Sequence, residues 1–281
     1  MKIFKEAASL VNYLEKRRLI ADKISFVPTM GALHAGHLSL IRKSAEVADL
    51  TICSIFVNPL QFNSTEDFRK YPKTIEKDMM LLENEGCDVL FLPDEKEIYP
   101  DKSCRKKHYD LEYLETILEG KFRPGHFQGV CTVVERLLKI VRPDFLLLGQ
   151  KDYQQCMIIE HLLLLMNQNI QLIICPIVRE ESGLAMSSRN FRLSSSERKT
   201  ASAIYRNLCS IKENLSSDNF RDLQKQAVSD LEKMGLKIEY LELAKTNTLE
   251  LIDVFEKGEE VIILIAVFLE GVRLIDNVII E

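Results

Sequence analysis

The sequence predicts an α/β fold: a doubly wound, Rossmann-like parallel sheet followed by a smaller α+β domain. Short runs rich in β-forming residues recur at positions 24–27, 51–57, 88–92, 144–148 and 170–175. Patterns with helical spacing lie between them, at positions 5–18, 37–48, 74–85, 129–141 and 153–166. Strands that alternate with helices and are apolar on both faces are typical of a parallel sheet covered on two sides.

The pattern changes after about residue 179, and this change predicts a second domain. Ser194-Ser195-Ser196-Glu197 is a capping-box signature that opens a helix reaching about Leu215. A further helix fits residues 220–234, and strands fit residues 238–243, 261–269 and 272–276. Helices followed by antiparallel strands favour a small α+β unit. We therefore expect an N-terminal catalytic domain at residues 1–180 and a C-terminal lid domain at residues 181–281.

Composition and charge exclude several functional classes. The chain has 281 residues, 46% hydrophobic and 28% charged, with a formal net charge of -5. These values are ordinary for a soluble globular protein, and the acidic balance argues against a nucleic-acid partner. Seven cysteines without a CxxC pair indicate reduced thiols in a cytoplasmic protein. The start lacks the apolar region of a signal peptide, and the longest apolar run, Val261–Leu269, is too short to cross a membrane.

Residues 28–37, which read PTMGALHAGH, predict a phosphate-binding turn. A strand, a glycine-bearing turn and a helix start bring backbone N–H groups and a helix N-terminus toward an anion. His34 and His37 lie three positions apart at this point and could stabilise charge developing on phosphorus. A metal site is less favoured, because neither a third ligand nor an HExxH pattern is nearby.

Two more strand ends carry polar residues. After the strand at 51–57, Gln61 in the sequence FVNPLQF is either a solvated side chain in an ordinary turn or a hydrogen-bonding partner of a polar substrate. Residues 147–155, LLGQKDYQQ, repeat the strand–glycine–helix arrangement. There Lys151 could reach a phosphate, Asp152 could cap the helix, and Gln155 could project into the same cleft.

Two polar segments have alternative interpretations. Residues 183–190, GLAMSSRN, offer hydroxyls and the planar guanidinium of Arg189 to a polyphosphate, or form a polar interdomain hinge, and both roles can hold. Residues 121–127, KFRPGHF, look basic and aromatic, but an isolated segment in an acidic chain disfavours RNA binding. His126 is interpreted as a helix N-terminal residue, and residues 105–108 as a solvated loop.

Together the segments resemble the pantothenate synthetase (pantoate–β-alanine ligase) family, whose members join pantoate to β-alanine using ATP. The matching text is PTMGALHAGH at 28–37, FVNPLQFNSTEDFRKYP at 56–72, KFRPGHFQGVCTVV at 121–134, GQKDYQQ at 149–155, VREESGLAMSSRN at 178–190 and RLIDN at 273–277. The likeness spans nearly the whole chain. The HxGH element alone resembles the signature of a wider superfamily that includes nucleotidylyltransferases and class I aminoacyl-tRNA synthetases.

The resemblance implies a two-step reaction in which pantoyl adenylate forms and β-alanine then displaces AMP, giving pantothenate, a coenzyme A precursor. It implies catalytic roles for His34, His37 and Lys151, with His37 the proposed proton donor, and pantoate binding by Gln61 and Gln155, with Gln61 also near β-alanine. The implied ATP site comprises Met30, Gly31, Ala32, Leu33, His34, Ala35, Gly36, His37, Gly149, Gln150, Lys151, Asp152, Val178, Met186, Ser187, Ser188 and Arg189. Mg²⁺ is expected with ATP, held largely by the phosphates, and a homodimer is expected.

Three positions depart from the family pattern. Gln150 stands where glutamate is frequent, Ser182 where aspartate precedes Gly-Leu-Ala, and Lys77 precedes Asp78 where some members have paired aspartates. Asp78 remains the candidate metal ligand.

Two alternative functions are also compatible with the motifs. One is another nucleotidyl-transferring enzyme of this fold that acts on a phosphorylated acceptor, and the other is a nucleotide-binding regulator with a vestigial site.

Overall fold

The computed structural model of the chain describes residues 1–101, 107–256 and 258–280. Cys104 and the first two residues of the basic segment at 105–108 therefore lie outside the described residues. The fold divides into two compact units, Met1–Gln150 with Gln155–Pro176, and Lys151–Gln154 with Ile177–Glu281. The domain boundary near residue 180 and the lid role of residues 181–281 stay predictions.

The first unit contains a six-stranded sheet, in which every described pairing is parallel. Its strands are β1 (Lys2–Phe4), β2 (Ile24–Thr29), β3 (Leu50–Ile55), β4 (Val89–Phe91), β5 (Phe145–Gly149) and β6 (Gln171–Cys175), in the order β1-β4-β3-β2-β5-β6. The predicted parallel α/β fold is confirmed. All six residues of β3 are buried, as a central strand covered on both faces requires.

Helices flank these strands in the chain. They are α1 (Ala7–Arg18), α2 (Ala35–Val47), α3 (Thr65–Lys70), α4 (Ile75–Asn84), α5 (Glu95–Ile98), α6 (Leu118–Phe122), α7 (His126–Val141) and α8 (Tyr153–Leu165). Short 3-10 turns span Pro59–Gln61, Glu112–Glu115 and Gln150–Asp152. Among the described residues, no helix combines the length and apolar character needed to cross a bilayer.

The direction of the chain through the sheet reverses at β2. This strand pairs with β3 on one side and with β5 on the other, and the chain continues outward in both directions. In open α/β sheets, ligands bind beyond the carboxyl ends of the strands at such a reversal. The segments that follow β2 and β5 begin at Met30 and Gln150, and both belong to the predicted site.

The second unit combines helices with an antiparallel sheet, as predicted. The helices are α9 (Ser195–Ala201), α10 (Ala203–Asn214) and α11 (Phe220–Lys233), and the sheet is β7 (Lys237–Lys245), β8 (Val261–Leu269) and β9 (Val272–Ile280). The capping box of Ser194 and Glu197 is present. The single helix expected up to Leu215 is instead divided at Ser202, whose hydroxyl donates to the Lys199 carbonyl at 2.7 Å.

Candidate functional site

The turn between β2 and α2 has a left-handed backbone at two consecutive residues. Gly31 has a φ of +79° and Ala32 a φ of +50°. A Cβ on Gly31 would lie 3.0 Å from Ile55 Cγ2 and 3.1 Å from Asp78 Oδ2, so the turn has little room for a side chain. The Gly31 N–H donates to Thr29 Oγ1 at 3.2 Å, and that hydroxyl donates to the Ser54 carbonyl at 2.8 Å. Neighbouring strand β3 thus supports the turn.

The two histidines form a reciprocal cap at the start of α2. His34 is the N-cap residue, and its Nδ1 accepts from the Gly36 N–H at 3.2 Å. The Nδ1 of His37 accepts from the His34 N–H at 3.4 Å, and the ring centroids lie 4.0 Å apart. An Nδ1 that accepts a hydrogen bond is unprotonated, so each neutral ring carries its proton on Nε2. The structure brings the two predicted imidazoles together as a pair of Nε2–H donors at a helix N-terminus.

Asp78, on α4, holds the backbone of the turn between β2 and α2. Its side chain is fully buried, and its two carboxylate oxygens accept from the Leu33 N–H at 2.8 Å and the Ala32 N–H at 2.9 Å. The Thr74 hydroxyl donates to Oδ1 at 3.1 Å. These contacts favour a structural anchor. The role of Asp78 as a metal ligand stays a prediction. The described residues contain no group of three or more His, Cys, Asp or Glu side chains that could hold a metal ion.

Gln61 lies in the 3-10 turn that follows β3, and Asn58 orients it. The buried Asn58 side chain accepts from the Leu60 N–H at 3.2 Å and so caps this turn. Asn58 Nδ2 donates to Gln61 Oε1 at 2.9 Å, while the Tyr99 hydroxyl donates to Asn58 Oδ1 at 2.8 Å. Asn58 received no role from the sequence, although it stands in the motif that contains Gln61. Its position three residues before Gln61, directly before proline, was the available signal.

The carboxyl end of β5 places the next predicted residues. Gly149 is the last residue of this strand, and Gln150 opens a 3-10 turn that leads into α8. Gln155 lies half-buried in the first turn of α8. Gln61 follows β3 and Gln155 follows β5, the two strands that pair with β2 on either side. Both glutamines therefore follow strands next to the point at which the chain reverses direction through the sheet.

In the second unit, the backbone of Lys151 is held by β9. Asn277 Nδ2 donates to the Lys151 carbonyl at 3.1 Å, and Lys151 Nζ lies 3.5 Å from Asp152 Oδ2. The Lys151 side chain is 17% exposed. Asn277 belongs to the RLIDN segment at 273–277, to which the sequence assigned no chemical role.

In the second unit, the first part of the polar loop predicted to bind polyphosphate pairs with residues 178–180 in a tight hairpin. The Met186 N–H donates to the Val178 carbonyl at 3.0 Å, so two predicted ATP-site residues lie side by side. Ser187 caps the 3-10 turn Ser188–Arg192 by accepting from the Arg189 N–H at 3.2 Å. Ser182, a departure from the family pattern, accepts from the Leu184 N–H at 3.4 Å within the hairpin.

A buried ion pair supports this hairpin. Arg179 makes two hydrogen bonds to Asp276, at 2.6 Å and 2.9 Å, and also donates to the carbonyls of Gly183 and Asn277. Its guanidinium lies 3.6 Å from the centroid of the Tyr205 ring. Such bidentate, stacked contacts are specific to arginine. Neither Arg179 nor Asp276 received a role from the sequence, because a partner 97 residues away leaves no local pattern.

Another buried carboxylate, that of Glu135, lies on α7. Burial by itself would raise the pKa of Glu135, but hydrogen bonds from Lys107, Tyr109 and Lys139 outweigh it and lower that pKa to about 2. Burial, together with the Glu135 carboxylate, raises the pKa of the Tyr109 hydroxyl far above its ordinary value. Glu135 is therefore ionised near neutral pH and stabilises the segment that packs on α7.

Comparisons with known proteins agree with one another. The family model described as pantoate-beta-alanine ligase matches residues 2–279. A pantothenate synthetase of Cytophaga hutchinsonii is 46% identical over 275 residues, covering 95% of this chain and 94% of that protein. A crystal structure of the enzyme from Thermus thermophilus superposes with a TM-score of 0.90 at 35% identity, covering 99% of both chains. The enzyme from Francisella tularensis, complexed with beta-gamma ATP and beta-alanine, gives a TM-score of 0.81 at 38% identity, covering 99% of this chain and 97% of that one.

Proposed function

Since this chain belongs to the pantoate–β-alanine ligase family, we propose that it condenses pantoate with β-alanine through a pantoyl-adenylate intermediate, with ATP as co-substrate. Membership of the family makes the chain an ATP-binding ligase of pantothenate biosynthesis. The observation that supports the proposal most directly is the histidine pair, which presents two Nε2–H donors at the start of α2.

In the first step, a carboxylate oxygen of pantoate attacks the α-phosphorus of ATP. An oxygen–phosphorus bond forms, the bond to the β-phosphate breaks, and pyrophosphate leaves. Positioning and charge stabilisation dominate such transfers. We assign His34 and His37 to the phosphate oxygens, because donors fixed by backbone contacts need no rearrangement as negative charge develops. His37, the proton donor that the family resemblance implies, is proposed to donate its Nε2–H in a hydrogen bond to the leaving pyrophosphate.

In the second step, the β-alanine amine attacks the activated carbonyl carbon. The new amide bond forms, AMP leaves with the electron pair of the acyl–oxygen bond, and the amine loses a proton. Gln61 and Gln155 are the proposed hydrogen-bonding partners of pantoate, and Gln61 is also proposed to lie near β-alanine. The contact from Asn58 supports this assignment, because it fixes the Gln61 amide instead of leaving it to rotate in solvent.

The remaining ATP contacts are also part of the proposal. In the first unit they are the turn at 30–37 with Gly149 and Gln150. In the second unit they are Lys151, Asp152, Val178 and residues 186–189. Lys151 and Arg189 supply positive charge for the triphosphate. The hydrogen bond that holds Val178 beside Met186 supports the assignment of both residues, because it gives this loop a defined backbone conformation.

The described residues do not fit a protein-bound Mg²⁺ site. Both oxygens of the buried Asp78 carboxylate already accept backbone N–H groups, and the described ranges contain no group of three or more His, Cys, Asp or Glu side chains that could hold a metal ion. We propose that Mg²⁺ arrives with ATP and is held largely by the phosphates, with several of its water ligands retained.

A homodimer and a cytoplasmic location complete the proposal. The homodimer rests on the family resemblance, and light scattering of the purified chain tests it. The cytoplasmic location is supported by the cysteines, which form no disulfide within the described ranges.

The decisive experiment is exchange of labelled pyrophosphate into ATP without β-alanine. We expect exchange that depends on pantoate, because formation of the adenylate is reversible before β-alanine enters. The assay should be run across several hydroxy acids, since the acid is the least constrained part of the proposal. A folded preparation that binds ATP but shows no pantoate-dependent exchange would refute the proposed reaction.

A further inference from the structure

The motif at residues 121–134 has no role in the reaction described above. It covers the end of α6, a turn in which Gly125 has a φ of +76°, and the first half of α7. His126 is the first residue of α7 and is only 5% exposed. Its Nδ1 lies 2.8 Å from the carbonyl oxygen of Gln61. A carbonyl oxygen can only accept, so this contact requires the proton on Nδ1 of His126.

One turn further along, α7 approaches the Gln61 segment backbone to backbone. A Cβ on Gly129 would lie 2.3 Å from the Leu60 carbonyl oxygen and 2.8 Å from the Gln61 nitrogen. The position therefore requires glycine. Asn58 Nδ2 donates to the Gly129 carbonyl at 3.1 Å, which joins the two segments at the point of closest approach.

A third contact lies just beyond Gln61. Asn63 Nδ2 donates to the Pro124 carbonyl at 2.7 Å, in the turn before α7. The contacts of Asn58, His126 and Asn63 thus tie the chain to the α7 region before, at and after Gln61. The 16-residue helix α7 acts as a rigid support for a turn of three residues.

We propose that His126 is a positioning residue for pantoate: its Nδ1–H holds the Gln61 carbonyl and thereby fixes the direction from which the Gln61 amide meets the substrate. This inference rests on the pantoate-binding role proposed for Gln61. The backbone of Gln61 is held by His126 and its side-chain oxygen by Asn58, so a lost contact at either end misdirects the amide. Displacements of about 1 Å in positioning groups are enough to slow catalysis severely.

The test compares two substitutions that differ in one donor. In pyrophosphate exchange, we expect His126→Ala to raise the KM for pantoate about tenfold, the effect of one lost buried hydrogen bond, with the KM for ATP unchanged. His126→Asn should restore most of the loss, since its amide nitrogen stands the same number of bonds from Cα as Nδ1. His161→Ala is the matched control, because His161 also bonds a backbone carbonyl, that of Asp110, at 2.9 Å. If His126→Ala changes both KM values equally, or matches the control, the proposal is overturned.

A double substitution separates positioning from a general structural role. If His126 acts through Gln61, His126→Ala should change the KM for pantoate less than about twofold in a Gln61→Ala background. A full tenfold effect in that background would overturn the inference. Wild-type protein without pantoate-dependent exchange would instead refute the proposed function, so the two failures are distinguishable.

A measurement on the unaltered chain covers the case in which His126→Ala does not fold. ¹⁵N NMR of the wild-type protein at neutral pH should show His126 protonated on Nδ1, with that proton protected from solvent exchange. Detection of the neutral tautomer protonated on Nε2 would contradict the hydrogen bond to Gln61 and overturn the proposal.

Discussion

Substitution of Asp78 tests whether this carboxylate anchors the phosphate-binding turn or binds a metal. In Asp78→Ala, the N–H groups of Ala32 and Leu33 lose their acceptors in a buried environment. Each unpaired buried N–H costs roughly 1–3 kcal/mol, so we expect the free energy of unfolding to fall by roughly 2–6 kcal/mol. Ala32 also has a φ of +50°, a conformation that persists only when its surroundings hold it.

Asp78→Asn is the sharper variant, because it preserves the shape of the side chain. The amide oxygen of asparagine can still accept one backbone N–H, but its NH2 group faces the other N–H and cannot accept. We therefore expect the free energy of unfolding to fall by about half as much as in Asp78→Ala, roughly 1–3 kcal/mol. Asp94→Asn is the matched control. Asp94 also accepts from two backbone N–H groups, at 2.9 Å and 3.0 Å, but it is an exposed helix cap, where asparagine performs as well as aspartate.

Two assays separate the interpretations of Asp78. Urea unfolding measures the loss of stability, and pyrophosphate exchange at increasing Mg²⁺ measures the metal requirement. An anchor predicts lower stability and a lower exchange rate with an unchanged half-saturating Mg²⁺ concentration. If Asp78→Asn keeps wild-type stability and needs about tenfold or more Mg²⁺, Asp78 is a metal ligand and the reasoning from its backbone contacts is refuted.

Two further substitutions test other parts of the molecule. Glu135→Gln should lower the free energy of unfolding at pH 7 by roughly 2–3 kcal/mol, since the wild-type carboxyl has its pKa lowered to about 2. The stability that the carboxylate adds is lost as the pH falls from about 4.5 toward about 2. In urea unfolding, the difference in free energy of unfolding between the wild type and Glu135→Gln should therefore become smaller over that pH range. A difference that stays constant would contradict this role of Glu135. His37→Ala should lower the exchange rate at saturating substrates about 10²–10³-fold with little change in the KM for ATP. Equal losses in both would make His37 a binding residue only.

The sequence predicted the parallel sheet well because buried strands and amphipathic helices leave a periodic apolar pattern. Strand β1 was not predicted, since it has three residues, two of them exposed, and gains its structure by pairing with β4. The break at Ser202 was also missed. A helix pattern continues across it in the sequence, and Ser202 itself keeps a right-handed helical backbone, so the sequence carries no signal for the division.

The residue types of the candidate site were predictable from local motifs, but the atoms that make its hydrogen bonds were not. The paired histidines at a helix start were visible as a motif, and the structure adds which nitrogen of each ring accepts the backbone N–H groups. For Gln61, the sequence allows two interpretations, a solvated side chain in an ordinary turn and a contact with substrate. The turn is real, and the hydrogen bond from Asn58 shows that a capped turn can itself orient the amide. The Gln61 side chain is thus bonded by Asn58 as well as exposed in part to solvent, and its contact with substrate stays a prediction.

Three contacts that support the proposed site share one physical device that a sequence pattern does not reveal. Asp78 accepts the N–H of Ala32, His126 donates to the carbonyl of Gln61, and Asn277 donates to the carbonyl of Lys151, across 46, 65 and 126 residues. In each case a side chain binds a backbone group in a turn between a strand and the next α-helix. Buried or half-buried backbone groups need partners, so loops that carry chemistry recruit them from distant segments. Because every residue offers the same backbone groups, the recruited side chain matches no local motif, and its function emerges only in the folded chain.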